Sequence, residues 1–178
     1  MKPSDFAFTA LSLVAVASAA QAGEVSPIEA NARLTQVLTC QRSVSPEDFK
    51  LLVKQAGGKS IVQASDDSDG EYTVPNPLDV FGRPITQLSL HPGANGEGDF
   101  NEYTGVFSGE SLQTVAKLGD VPKDDLGDYR KQVGNHDLIL KAEHGGTYIT
   151  CSQDVRTITK SLKRTARDAS DRLNRAIP

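Results

Sequence analysis

The two cysteines, Cys40 and Cys151, constrain the fold of this chain more than any other pair of residues. A disulfide between them would close a loop of roughly 110 residues, for which the chain-entropy argument gives ~4.7 kcal/mol of stabilisation. Two free thiols or a metal site are the alternatives, but two cysteines without spaced histidines make a poor zinc ligand set. In an exported protein such an isolated pair is typical of a disulfide, so we expect a structural bridge here.

Residues 1–22 have the pattern of a cleaved signal peptide: a positive start at Lys2, an apolar run, and the small-x-small sequence Ala20-Gln21-Ala22. The apolar run of about 14 residues is shorter than the ~20 that span a bilayer. We therefore expect export to a bacterial periplasm, with secretion as the alternative. The mature chain then has two parts, a single domain over 23–153 and a C-terminal segment over 154–178.

Two helix starts use the same device. Ser26-Pro27-Ile28-Glu29 and Ser45-Pro46-Glu47-Asp48 each place serine at the N-cap, proline at the first helical position and an acidic residue at the third. We expect Ser108 to cap a third helix that ends at Gly119. The sequence between and after these helices favours β-structure.

Short apolar or alternating runs, separated by turn residues, predict eight strands. They are expected over 61–64, 72–74, 78–81, 85–90, 100–107, 129–133, 138–143 and 147–151. In the strand over 100–107 we expect Tyr103 and Phe107 to point inward. The order of elements predicts an α+β fold, an antiparallel sheet with the N-terminal helix pair and further helices packed on one face.

The C-terminal segment differs from the rest in charge. Residues 155–178 hold seven basic residues and two aspartates, a net charge of +5. Because the whole chain has a net charge of −4, the rest of it carries −9. Apolar residues recur there at three- and four-residue steps, which predicts a basic amphipathic helix. Such a helix can contact anionic lipid or another acidic envelope component. The basic residues expected to do so are Lys160, Lys163, Arg164 and Arg167.

An acidic turn and a glycine-rich loop are the candidate binding surfaces. The turn carries Asp66, Asp67 and Asp69, and the loop over 91–99 carries His91, Asn95 and Glu97. Fitting the turn to an EF-hand places Asn76 where the closing glutamate belongs, so we expect a solvated turn and no metal site. Long loops often hold binding surfaces, and an acidic rim would suit a basic partner.

Catalytic signatures are weak. The three histidines, His91, His136 and His144, lie in or beside turns without metal-ligand spacing, and no G-x-S-x-G nucleophile elbow occurs. His136 and His144 lie at opposite ends of one predicted strand, more than ~20 Å apart, so they cannot share a metal. We therefore expect no cofactor, and a hydrolase with dispersed residues is the less favoured hypothesis.

These observations favour a non-enzymatic exported protein that binds another macromolecule, a protein partner, through surface loops. Small exported inhibitor and immunity-type domains also present loops from a disulfide-stapled sheet, a comparison of architecture alone. The alternative is an envelope-associated protein that uses its basic C-terminal helix. The acidity of the main body argues against nucleic acid as a partner. The sequence leaves the oligomeric state open.

Overall fold

The computed structural model describes residues 25–64, 69–92, 101–143 and 145–153. These residues form three helices and seven strands, and the expected α+β class is confirmed. In chain order the elements are α1 (Pro27–Leu38), α2 (Pro46–Gln55), β1 (Lys59–Val62), β2 (Gly70–Val80), β3 (Arg83–His91), β4 (Glu102–Phe107), α3 (Leu112–Leu118), β5 (Tyr129–Val133), β6 (His136–Glu143) and β7 (Gly146–Gln153). The strands pair antiparallel in one sheet of order β1-β2-β3-β4-β7-β6-β5.

β2 is one strand of 11 residues, where the sequence predicts two. Pro75 and Pro77 lack the N–H that a ladder hydrogen bond needs, and the register with β3 shifts between Thr73 and Leu78. The prolines therefore create an irregularity within the strand and do not end it. Four strands, not five, precede α3.

The two proline-marked helix starts are confirmed. Ser26 accepts a hydrogen bond from the backbone N–H of Glu29, and Ser45 accepts one from Asp48. The expected cap at Ser108 is wrong, because α3 begins at Leu112 and its N-cap is Ser111. Gly109 has φ of +76°, so residues 108–109 form a turn and the chain becomes helical only after Ser111.

Alternation along the strands gives the sheet an inner face, which holds the buried core side chains, and an outer face. The inner-face residues are Tyr72, Val74, Leu78, Val80, Ile85, Leu88, Leu90, Tyr103, Gly105, Phe107, Leu138, Leu140, Thr147, Ile149 and Cys151. All of them except Gly105 and Thr147 belong to one hydrophobic core, together with buried residues of all three helices. The inward orientation of Tyr103 and Phe107 is confirmed.

The outer face carries mostly polar residues with short side chains at its centre. Its residues include Glu71, Thr73, Gln87, Ser89, His91, Glu102, Thr104, Val106, Arg130, Asp137, Ile139, Lys141, Tyr148, Thr150 and Ser152. The hydroxyls of Thr104 and Thr150 lie 2.9 Å apart across the β4–β7 pair. The three described helices lie on the inner side of the sheet.

The predicted disulfide is confirmed: Cys40 and Cys151 are bonded, with Cα atoms 5.3 Å apart. Cys40 ends α1 at φ +58°, in the left-handed region. Its N–H donates to Val37 and the N–H of Gln41 donates to Gln36, the two hydrogen bonds of a Schellman motif. The bridge thus attaches the end of the first helix to the last strand.

The expected signal peptide over 1–22 and the expected basic helix over 154–178 both lie outside the described residues. Within the described ranges, no helix has both the length and the apolar character needed to cross a membrane.

Candidate functional site

One end of the sheet brings together Asp69, the last aspartate of the acidic turn, and His91, the first residue of the glycine-rich loop. Asp69 immediately precedes β2, and His91 is the last residue of β3; the adjoining residues, Gly70 and Leu90, are register partners. The imidazole Nδ1–H of His91 donates to Oδ1 of Asp69. Both side chains are more than half exposed, at 59% and 57%. This contact joins one residue from each of the two candidate binding segments that the sequence indicates separately.

Two more carboxylates lie beside this pair on the outer face. Glu102 is the register partner of His91, and Glu71 is the register partner of Ser89 on β3. Both glutamates are exposed. Exposed ion pairs contribute only ~0–1 kcal/mol to stability. Stabilisation of the fold is therefore a poor explanation for these four side chains. They present one imidazole and three carboxylates to solvent at the same end of the sheet.

Of the six predicted binding residues, the described part of the chain contains two, Asp69 and His91. These two side chains are in contact. Asp66, Asp67, Asn95 and Glu97 lie outside it. The described residues contain no group of three His, Cys, Asp or Glu side chains that could hold a metal ion.

His136 lies at the same end of the sheet but belongs to different surroundings. Its Nε2 is 3.2 Å from the hydroxyl of Ser43 in the α1–α2 connection. The strand order places three strand spacings between it and His91, or about 14 Å. The two histidines therefore do not form one site, and His144 is outside the described residues.

The buried tyrosines near this end are structural. The Tyr103 hydroxyl donates to the carbonyl of Val44 at 2.6 Å. Burial raises its pKa to about 12, and the negative charges of Glu47 and Asp48 add to the increase. Burial also raises the pKa of Tyr72, opposed by a hydrogen bond from the Ala64 backbone. Both phenols thus remain neutral, and neither is poised for acid–base chemistry.

An open cleft of about 300 Å³ lies between α3 and β5, and the sequence reasoning missed it. Lys117 and Lys123 line it, and the Lys123 ammonium lies 5.2 Å from the ring centroid of Tyr129. Asp120 is also in its wall and is 3.3 Å from the Nζ of Lys131. The sequence signal for this cleft was a lysine and a tyrosine on either side of one loop, Lys123 and Tyr129. Their contact depends on how β5 packs against that loop.

Comparisons with protein-family models, with curated proteins and with solved structures find no match to this chain. Inferences about its function therefore depend on its own residues and geometry.

Proposed function

We propose that this chain is an exported, non-enzymatic binding protein that recognises a basic macromolecule through the Asp69–His91 end of its sheet. The observation that carries the proposal is the contact between these two residues, because each belongs to a segment that the sequence separately indicates as a binding surface. Asp69, Glu71 and Glu102 give this end a negative rim, which steers and selects a positively charged partner.

This chain would then have an inhibitor- or immunity-like role towards its partner. A cell-wall hydrolase that acts on an anionic polymer is a basic protein of the expected compartment, the bacterial periplasm, and would complement this rim. Secretion from the cell is the alternative location. Both cysteines form the disulfide, so neither can act as the thiol nucleophile of a hydrolase.

The test measures binding of the full mature chain to a panel of purified basic cell-wall hydrolases and to native envelope extract after crosslinking. We expect Asp69→Asn combined with Glu102→Gln to abolish capture, and 1 M salt to weaken it, since exposed charges are screened. Glu143→Gln is the matched control, because Glu143 is an exposed carboxylate of β6 at the opposite end of the sheet.

Capture that is equal for the two variants would refute the Asp69–His91 end as the binding surface. Hydrolysis of a cell-wall or peptide substrate by the chain itself would refute the non-enzymatic assignment. Near-UV circular dichroism of each variant establishes that lost capture reflects the surface and not unfolding.

The alternative function assigns binding to the basic segment, with Lys160, Lys163, Arg164 and Arg167 contacting anionic lipid. The net +5 charge of residues 155–178 favours it. Charge reversal of these four residues would then abolish association with anionic vesicles, while Asp69→Asn with Glu102→Gln would leave that association unchanged.

A further inference from the structure

A small hairpin lies at the β5 edge of the sheet. Lys123 and Tyr129 form an antiparallel bridge, and the backbone N–H of Arg130 donates to the carbonyl of Pro122 at 3.0 Å. The chain turns back between them, and we refer to residues 122–130 as the edge hairpin. Four strand spacings, or about 19 Å, separate β5 from β3, so this hairpin is distant from the candidate binding surface described above.

The turn of the edge hairpin is held by one aspartate. The Oδ1 atom of Asp124 accepts hydrogen bonds from the N–H groups of Leu126 and Asp128, at 2.9 and 3.0 Å. The backbone of Asp124 adds two more, because its N–H donates to the Asp128 carbonyl and its carbonyl accepts from the Gly127 N–H. An aspartate that binds the backbone of its own turn in this way fixes the conformation of the turn. The turn is therefore preorganised, which lowers the entropy cost of binding.

Leu126 lies in this turn with its side chain in solvent. It is 88% exposed, more than any other large apolar residue in the described ranges. Single exposed leucines are ordinary on protein surfaces. This one differs because its backbone is fixed and because two exposed acidic residues, Asp125 and Asp128, lie close to it in the sequence. The turn thus presents an apolar side chain with acidic flanks.

The cleft between α3 and β5 has the complementary pattern. Val121 and the ring of Tyr129 contribute apolar surface, and Lys117 and Lys123 contribute positive charge. Neither lysine forms an ion pair with another residue of the described ranges. At about 300 Å³ the cleft has room for roughly ten water molecules, so it can admit the much smaller side chain of a leucine.

The charge of this cleft is positive on balance. Its acidic residue, Asp120, has its carboxylate 3.3 Å from the Nζ of Lys131. This pairing leaves the charges of Lys117 and Lys123 available to an acidic segment. Leu126 of the same chain does not line the cleft and remains in solvent, so a matching segment has to come from another molecule.

We propose that two copies of this chain form a dimer in which Leu126 of each copy enters the cleft of the other. The leucine packs on the apolar wall, and its acidic neighbours pair with Lys117 and Lys123 of the other copy. Because the turn and the cleft adjoin within one hairpin, each copy gives and receives the same contact, which closes a two-fold symmetric pair. The dimer is independent of the proposed binding function, because it uses the β5 edge and leaves the Asp69–His91 end free.

The test is sedimentation equilibrium of the full mature chain. A turn in a cleft buries little surface, so we expect weak association, and the dilution series extends to about 1 mM protein. The weight-average mass should rise to twice that of one chain and no further. Leu126→Asp places a charge in the apolar cleft and should lower the association constant by about tenfold or more. Ile28→Asp is the control at another highly exposed apolar residue and should leave the constant unchanged.

Charge exchange tests the pairing itself. One chain carries Lys117→Glu with Lys123→Glu, and a second carries Asp125→Lys with Asp128→Lys. Each chain alone should be monomeric, because like charges meet when it pairs with itself. An equimolar mixture should form a heterodimer, because opposite charges then meet in both clefts. Near-UV circular dichroism establishes that each variant is folded.

A parent chain that stays monomeric throughout the series would overturn the proposal, as would charge-exchanged chains that do not associate when mixed. Binding of the peptide Asp-Asp-Leu-Gly-Asp to a monomeric parent chain would assign the cleft to an acidic segment of another protein, and the dimer would be refuted. A mass that continues to rise beyond twice that of one chain would contradict the two-fold closure.

Discussion

Leu38 of α1 lies over Gly105 of β4 so closely that a Cβ on the glycine would be 3.0 Å from the Leu38 Cδ1 atom. The Cδ1 atom of Ile85 would be equally close. Gly105→Ala should therefore force α1 or these side chains to shift, and we expect a loss of about 1–3 kcal/mol in the free energy of unfolding. Urea denaturation measures it.

Gly146→Ala is the control for this substitution. Gly146 lies on the outer side of β7, where a Cβ would come no closer than 3.3 Å to any of its neighbours, the nearest being Val106 Cγ1. A smaller loss of stability is expected. If the two alanine variants were equally stable, close approach of α1 to the sheet would not explain Gly105.

The hydroxyl of Ser111, and not that of Ser108, should stabilise α3. Ser111 accepts a hydrogen bond from the N–H of Thr114, whereas Ser108 is exposed in the preceding turn. We expect Ser111→Ala to lower the free energy of unfolding by about 1 kcal/mol. Ser108→Ala should change it by less than about 0.5 kcal/mol. Thermal unfolding of both variants measures these losses. A larger loss in Ser108→Ala than in Ser111→Ala would contradict the prediction.

Alkaline pH should destabilise the chain through Tyr103. Its pKa is about 12 in the folded chain and about 10 when unfolded, so between these values the folded state retains a proton that the unfolded state has lost. Unfolding then releases a proton, and the free energy of unfolding falls by up to ~1.4 kcal/mol per pH unit as pH rises from about 10 to 12. Below pH 10 this contribution is fully present.

Denaturant titrations between pH 8 and 11.5 test this expectation in the parent chain and in Tyr103→Phe. Tyr103→Phe should lose about 1 kcal/mol at neutral pH, because it removes the hydrogen bond to Val44, and it should show a shallower alkaline slope. An unchanged slope in Tyr103→Phe would contradict the assignment.

The disulfide and the left-handed backbone at Cys40 should have separable effects. Cys40→Ala with Cys151→Ala should lower the free energy of unfolding by about 2–5 kcal/mol. Cys40→Gly with Cys151→Ala should lose roughly 1 kcal/mol less, because glycine adopts φ +58° without the steric penalty of a Cβ. Chemical denaturation of the two bridge-free chains compares them, and equal stabilities would show that this conformation is not strained.

Local patterns predicted most of the elements, since helix caps, turn glycines and strand alternation act over a few residues. Ser26 and Ser45 cap their helices as expected, and Tyr103 and Phe107 face the core. Two serines precede α3, and Ser108 is followed by a turn at Gly109 with positive φ, so the N-cap is Ser111 and not Ser108. The β4–β7 pairing joins residues 40 or more positions apart and leaves no local signal.

The sequence identifies residues of the candidate site, but it does not show that they lie next to one another. Alternate connections of an antiparallel meander lie at the same end of a sheet. With five strands expected before α3, the acidic turn and the glycine-rich loop would follow strands of opposite parity and emerge at opposite ends. Because Pro75 and Pro77 interrupt the pairing of β2 without ending it, the turn and the loop follow β1 and β3, and Asp69 meets His91.

The separation of 111 residues between Cys40 and Cys151 has a consequence for the order of events during biosynthesis. Cys151 lies in the last strand, so every strand of the sheet must be synthesised before its sulfur can reach Cys40. The bond can therefore form only after the chain has been synthesised through Cys151. In a pulse-labelled culture, the oxidised form should appear only in chains whose synthesis has passed the last described strand.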